Sequence, residues 1–298
     1  MQKTLNENSI GQIIYRVVAG ILFGFANVIP GVSGGTVMVV LSLYERIIGI
    51  ITDFFKKIKT EWKFFLPIVI GMGIAILLFG KVMSGLLSRH ADVTQMFFIG
   101  IIIFSIPGIF KRAAYNEKKK LDIKPLHVVI FLLVLALMVF MFLSDASAQK
   151  EAIKNAEDAS AEYTADHSAF RLVMLVVYGA IACSTMIIPG ISGSLVMVML
   201  GQYKAVIDAV AHLDIVTLLP FSVGCVLGLV FVAKLIRWLM KNHSQATYSA
   251  ILGFVIGSIL PVFPGFPAAA QAAPLIAFVI GGAVITFFEL IGEKQNKA

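Results

Sequence analysis

The sequence predicts an all-α integral membrane protein made of two inverted-topology repeats, each a re-entrant helical hairpin followed by three transmembrane helices. Three observations predict it: a membrane-grade composition, ten apolar segments that fall into two matched sets of five, and loop charges that alternate between basic and basic-poor. The 298 residues are 59% hydrophobic and only 14% charged, with a mean hydropathy of +0.92, whereas a soluble domain carries about 25% charge. Several apolar runs approach the roughly 20 residues needed to cross a bilayer. The net charge of +7 then reads as loop asymmetry and not as a nucleic-acid footprint. The basic residues are not interleaved with aromatics on a polar face, so no nucleic-acid partner is expected.

Taken in order, residues 1–12 form a polar N-terminal segment with no cleavage pattern, so no processing is expected. Apolar segments follow at 13–29, 36–51, 64–87, 96–110 and 127–143. A polar linker, 144–169, is rich in Ala, Glu, Asp and Lys. The series then recurs at 170–188, 195–210, 215–240, 248–260 and 274–291. The first repeat is 13–143, with its hairpin at 13–51, and the second is 170–292, with its hairpin at 170–210.

The recurrence is visible residue by residue. Ile29-Pro30-Gly31-Val32-Ser33-Gly34-Gly35-Thr36 returns 159 positions later as Ile188-Pro189-Gly190-Ile191-Ser192-Gly193-Ser194, and nine of the thirteen positions from Ile29 to Leu41 are identical. Tyr44 and Tyr203 extend the match. At an offset of 153, Leu66-Pro67 matches Leu219-Pro220, Gly71 matches Gly224, Lys81 matches Lys234, His90 matches His243 and Ser105 matches Ser258. An odd number of crossings per copy, whether five or three, makes the second copy enter from the opposite side. That is the architecture of many secondary transporters, with the site at the repeat interface near the midplane.

Loop charges agree. With both termini inside, the inner loops hold Lys56, Lys57, Lys59 and Lys63, then Lys111, Arg112, Lys118, Lys119, Lys120 and Lys124, then Arg237 and Lys241, and finally Lys294 and Lys297. The outer loops hold Arg89, the acidic linker, and two connections without Lys or Arg, as the positive-inside rule requires. The first two segments of each copy are short for crossings and meet at a Pro-Gly break. Irregular backbone survives at membrane depth only when buried in protein or lining a cavity, which favours re-entrant hairpins.

That break also carries the candidate chemistry. Pro30-Gly31 ends one helix, Ser33 suits the N-cap of the next, and Gly34 and Gly35 let a ligand approach the unpaired N–H groups. The dipole leaves positive partial charge there, and Thr36 adds a hydroxyl, a combination suited to phosphate. Ser192, Gly193 and Ser194 repeat it after Pro189-Gly190, and inverted copies bring both helix starts to one site. The plainer reading is a Pro-Gly kink with small residues for tight helix packing. Among intramembrane charges, Arg16 is either an interface anchor or an anion ligand, and Arg46 is a second basic candidate. Glu45 is a candidate for coupling, and Glu45-Arg46 for an internal ion pair. Cys183 and Cys225 read as small core residues. No His, Cys, Asp or Glu set has metal-ligand spacing, and no cofactor is expected.

The run Asn27-Val28-Ile29-Pro30-Gly31-Val32-Ser33-Gly34-Gly35-Thr36, the Leu43-Tyr44-Glu45 after it and the second Pro189-Gly190-Ile191-Ser192-Gly193-Ser194 resemble the bacterial undecaprenyl-phosphate translocases of the PopT type, formerly a domain of unknown function. The resemblance spans essentially the whole chain. It implies flipping of a polyprenyl-phosphate carrier from the outer to the inner leaflet of the cytoplasmic membrane, for reuse in cell-envelope synthesis, with membrane lipids as surroundings. Two alternatives stand beside it: a small-anion or ion transporter, and an undecaprenyl-pyrophosphate phosphatase. The latter enzymes share inverted repeats but use a Pro-Gly-x-Ser-Arg-Ser motif, where this chain has Gly34 in place of arginine. They also use a paired-Glu motif, and the first half of neither hairpin here contains ExxxE or QxxxE. The groups that stabilise a transferring phosphoryl are therefore missing, and a non-enzymatic role is expected.

Overall fold

Apolar chain in a bilayer must satisfy its own backbone hydrogen bonds, and helices do so within one segment. The computed structural model describes residues 10–28, 33–78, 90–115, 120–157, 167–191, 193–265 and 272–296. Among them the chain is all-helical, with one isolated bridge between Tyr115 and Leu121 and no strand. The helices are α1 Ile10–Val28, α2 Gly34–Val40, α3 Tyr44–Thr52, α4 Phe54–Leu78, α5 Ala91–Ala114, α6 Pro125–Glu157, α7 Ala169–Ile187, α8 Gly193–Met199, α9 Tyr203–Ala211, α10 Ile215–Asn242, α11 Ser244–Gly257, α12 Ile259–Val262 and α13 Ala272–Asn296. By length and composition five stretches can cross a membrane, six if α2 and α3 count as one bent span.

The two halves build the same elements from the same positions. The boundaries of α7, α8 and α9 are those of α1, α2 and α3 displaced by 159 residues. Packing repeats too. α1 lies on α4 so closely that a Cβ at Gly20 would stand 2.1 Å from the carbonyl oxygen of Ile68, and α7 lies on α10 with Gly179 2.2 Å from that of Phe221, the equivalent pair. The last helices are exchanged between halves: α5 packs on α13 and α11 on α6. Val39, Tyr44 and Ile48 share one buried cluster with Ile102, Ile187 and Val255.

Several boundaries differ from the sequence reading. The segment at 36–51 is not one helix: α2 and α3 meet at 118°, across a turn in which Ser42 adopts φ 57. The segment at 195–210 breaks in the same place, at Gly201, φ 66. α4 begins at Phe54, not 64, so Lys56, Lys57, Lys59 and Lys63 lie on a helix and not in a loop; Lys and Glu are strong helix formers, and charge alone does not end a helix. α6 runs on through 157, so much of the expected linker is helix, built on Ala, Lys, Glu and Gln. Its 33 residues span about 50 Å, against about 30 Å of hydrocarbon. α5 extends to 91–114, α13 to 272–296, and the segment at 248–260 starts at 244 and breaks at Ser258.

Candidate functional site

Described residues of the two motifs lie against one another. The second is the better described. α7 ends at Ile187, and the chain leaves the helix through Ile188 (φ −70, ψ 122). Gly190 then turns back at φ +82, with a virtual Cβ only 2.6 Å from the carbonyl oxygen of Phe254 on α11. A left-handed conformation with backbone this close admits only glycine. Pro30 and Gly31 of the first motif, and Ser192 of the second, lie outside the described residues, as does the side chain of Ser194. Gly193 opens α8 against the carbonyl of Ala182, where a Cβ would stand at 2.9 Å.

On the first motif, Ser33 is extended (φ −91, ψ 127) and precedes α2. It occupies the expected N-cap position but makes no capping hydrogen bond. Its hydroxyl instead donates to the carbonyl of Ile191, 3.5 Å away in the second motif. Gly35 lies against the same strip: a Cβ there would stand 2.9 Å from the Ile187 carbonyl oxygen and 3.2 Å from the Pro189 nitrogen. Gly34 and Thr36 are buried beside it. Thr36 is 1% exposed, and its hydroxyl has no hydrogen-bond partner among the described residues. Tyr44, at the start of α3, sends its hydroxyl to the Ile187 carbonyl at 3.1 Å.

The basic candidates collect elsewhere. Arg16 is 4% exposed, so it is not an interface anchor reaching for water. Its guanidinium donates to the Lys63 carbonyl at 3.2 Å. That of Arg46 lies 4.0 Å over the Phe64 ring, with Arg16 at 5.2 Å. Arg16 precedes the last residue of α1, Val28, by about 18 Å of helix. The expected Glu45–Arg46 pair does not form, because neighbouring positions on a helix face apart. Arg46 instead binds Glu61 at 2.7 Å. Glu45 accepts from the Tyr248 hydroxyl of α11 and faces Arg112 of α5 at 3.4 Å. Arg112 also donates to Ser42 at 3.3 Å and to Tyr248 at 2.9 Å.

One further ion pair ties the halves, and a His–Asp contact joins the end of the linker to the second half. Asp53, between α3 and α4, meets Arg237 of α10. The hydrogen bond from Arg237 holds the Asp53 carboxyl below the usual carboxylate range, helped by the charges of Arg237, Lys57 and Lys56. His167 meets Asp214 at 2.9 Å, where Asp214 also caps α10 through the N–H groups of Val216 and Thr217. In the sequence Arg112 stands out only as a loop charge, and Tyr248 carries no signal. The signal available for Tyr44 was its match with Tyr203.

A family model described as undecaprenyl phosphate translocase-like matches residues 23–275. A polyprenyl-phosphate transporter of Staphylococcus aureus is 29% identical over 290 residues, 94% of this chain and 98% of that protein. One of Vibrio cholerae is 26% identical over 259 residues, covering 82% of this chain and 76% of that protein. No solved structure gives a significant match.

Proposed function

The chain belongs to the undecaprenyl phosphate translocase-like family, and from that premise we propose that it carries a polyprenyl phosphate between the leaflets of the bacterial cytoplasmic membrane, returning the carrier from outer to inner leaflet for reuse in envelope synthesis. Both relatives are named as transporters of polyprenyl phosphate. The two halves act as inverted repeats, 13–143 and 170–292, joined by an outer linker. Each opens with a re-entrant hairpin, and both termini lie inside. The distribution of lysines and arginines along the chain supports this sidedness.

One observation carries the site assignment: where the first motif abuts the second, Thr36 holds a fully buried hydroxyl with no described partner. An orphaned buried hydroxyl costs about 1–3 kcal/mol, and a ligand oxygen removes that cost. The phosphate head binds among Ser33, Gly34, Gly35 and Thr36 on one side and Ser192, Gly193 and Ser194 on the other, with Pro30, Gly31, Pro189 and Gly190 as the hinges of the two turns. Arg16 and Arg46, gathered on Phe64, attract the head along its inner path. The prenyl tail stays in lipid. Glu45 is the candidate for coupling to protons. The role is carriage and not hydrolysis, because Gly34 stands where phosphoryl-transfer relatives place arginine.

The test is purified protein in liposomes carrying polyprenyl phosphate, with the head group in each leaflet followed over time. Movement that stops in the Ser33→Ala, Ser192→Ala double variant supports function and site together. Intact movement in that variant removes the site assignment. Uptake of free phosphate without lipid movement favours a small-anion transporter, and pyrophosphate hydrolysis favours the phosphatase.

A further inference from the structure

Tyr44 and Tyr203 occupy equivalent positions, the first residues of α3 and α9, yet their surroundings differ. Tyr44 is 3% exposed and Tyr203 is 42% exposed. The contrast continues along both helices, with Ile48 at 1% and its equivalent Ile207 at 48%. α3 is packed on α10, whereas α9 lies against its chain neighbours α8 and α10. Two halves with matched sequence, matched boundaries in their first three helices and matched glycine contacts therefore differ in the burial of the second half of the broken helix, which is buried in one copy and exposed in the other.

Tyr44 shows what the burial accomplishes. The last carbonyls of a helix have no partner inside it. Ile187 closes α7, and the Tyr44 hydroxyl satisfies its carbonyl. This fastens α3 to the strip that also lies against Gly35. The equivalent of Ile187 is Val28, which closes α1. Tyr203 hydrogen-bonds no described residue. In a transporter of two inverted repeats, moving the opening from one side to the other interchanges the environments of equivalent residues.

We propose that Tyr44 and Tyr203 are paired positioning residues for transport: the Tyr44 hydroxyl on the Ile187 carbonyl holds the state seen here, and the Tyr203 hydroxyl on the Val28 carbonyl holds the opposite one. This rests on reading the chain as an inverted-repeat transporter. Each hydrogen bond is made in one state only, so removing one hydroxyl shifts the ratio of states roughly 5-fold. Because the two bonds are alike, neither state is favoured by the pair together, as a cycle that visits both states requires.

The experiment uses full-length protein in liposomes, with Cys183 and Cys225 replaced by Ala. Two cysteine pairs are introduced separately, Tyr44→Cys with Ile187→Cys and Tyr203→Cys with Val28→Cys. The initial rate of cross-linking by a short bismaleimide is measured with the remaining tyrosine intact or changed to Phe. Both pairs are expected to cross-link, each roughly 3-fold faster when the other tyrosine is Phe, because a roughly 5-fold shift in the ratio moves the reporting state from about one sixth to about one half. A 203–28 pair that never cross-links overturns the proposal if the cysteine-free protein still moves polyprenyl phosphate. So do Phe substitutions that slow both cross-links alike, which is what a merely structural role predicts. Failure of the cysteine-free protein to move lipid counts instead against the transport reading.

Discussion

Arg112 donates a hydrogen bond to the hydroxyl of Ser42 at 3.3 Å, and Ser42 is one of two non-glycine residues at positive φ among the described residues. Its equivalent in the second half is Gly201. One half meets the left-handed turn with the residue that tolerates it. The other uses serine at a cost of about 1 kcal/mol and ties it to α5. Arg112→Ala is expected to cost more stability when residue 42 is Ser than when it is Gly, by about 0.5–1 kcal/mol. A thermal double-mutant cycle in detergent measures this coupling, and additive losses would refute it.

The Thr36 hydroxyl makes opposite forecasts for stability and transport. Thr36→Val keeps the shape and removes an unpartnered buried oxygen. The midpoint of thermal unfolding is expected to rise, by about 1 kcal/mol of stability. If the hydroxyl meets phosphate, affinity for polyprenyl phosphate falls about 10-fold. Titration of the purified protein with lipid phosphate reads the second effect. A stabilised variant with unchanged affinity would leave Thr36 as packing alone.

Much of this arrangement was legible before the structure. The apolar segments, the matched copies and the motif pair came from residue identity and spacing, because period and composition are local properties. The break between α2 and α3 did not. Residues 36–51 read as one apolar segment, and Ser42 alone gives no turn signal. Gly201 at the equivalent position did carry one, since glycine commonly closes a helix in the left-handed region. The partners of Glu45 were also hidden. Arg112 is 67 positions away and Tyr248 is 203 away, and only tertiary packing brings α3, α5 and α11 together.

The Asp53–Arg237 pair sets a pH response. Its carboxyl is held below the ordinary range, which in an unfolded chain is about 3.9. A depressed folded value means the stabilisation is complete above the unfolded value and is lost as pH falls through the folded one. Stability of the native protein is therefore expected to fall on acidification below about pH 4 more steeply than that of Asp53→Asn. Thermal midpoints of both proteins from pH 6 to pH 3 provide the check. Parallel curves would show that the pair contributes nothing to the pH dependence.

Gly35 and Gly73 separate close approach from mere small size. A Cβ at Gly35 would stand 2.9 Å from the Ile187 carbonyl oxygen and 3.2 Å from the Pro189 nitrogen, whereas at Gly73 nothing lies within 4 Å. Both opposing atoms at Gly35 are backbone, so α2 must move off the second motif to admit a methyl group. Gly35→Ala is expected to destabilise by about 1–3 kcal/mol and to abolish lipid movement, because it forces the two motifs apart. Gly73→Ala, in the interior of α4, should be neutral or stabilising by up to about 1 kcal/mol through helix propensity. Thermal unfolding and the liposome assay on both variants decide it. A Gly35→Ala protein that keeps native stability and full transport would mean that the contact between the motifs is not required for either.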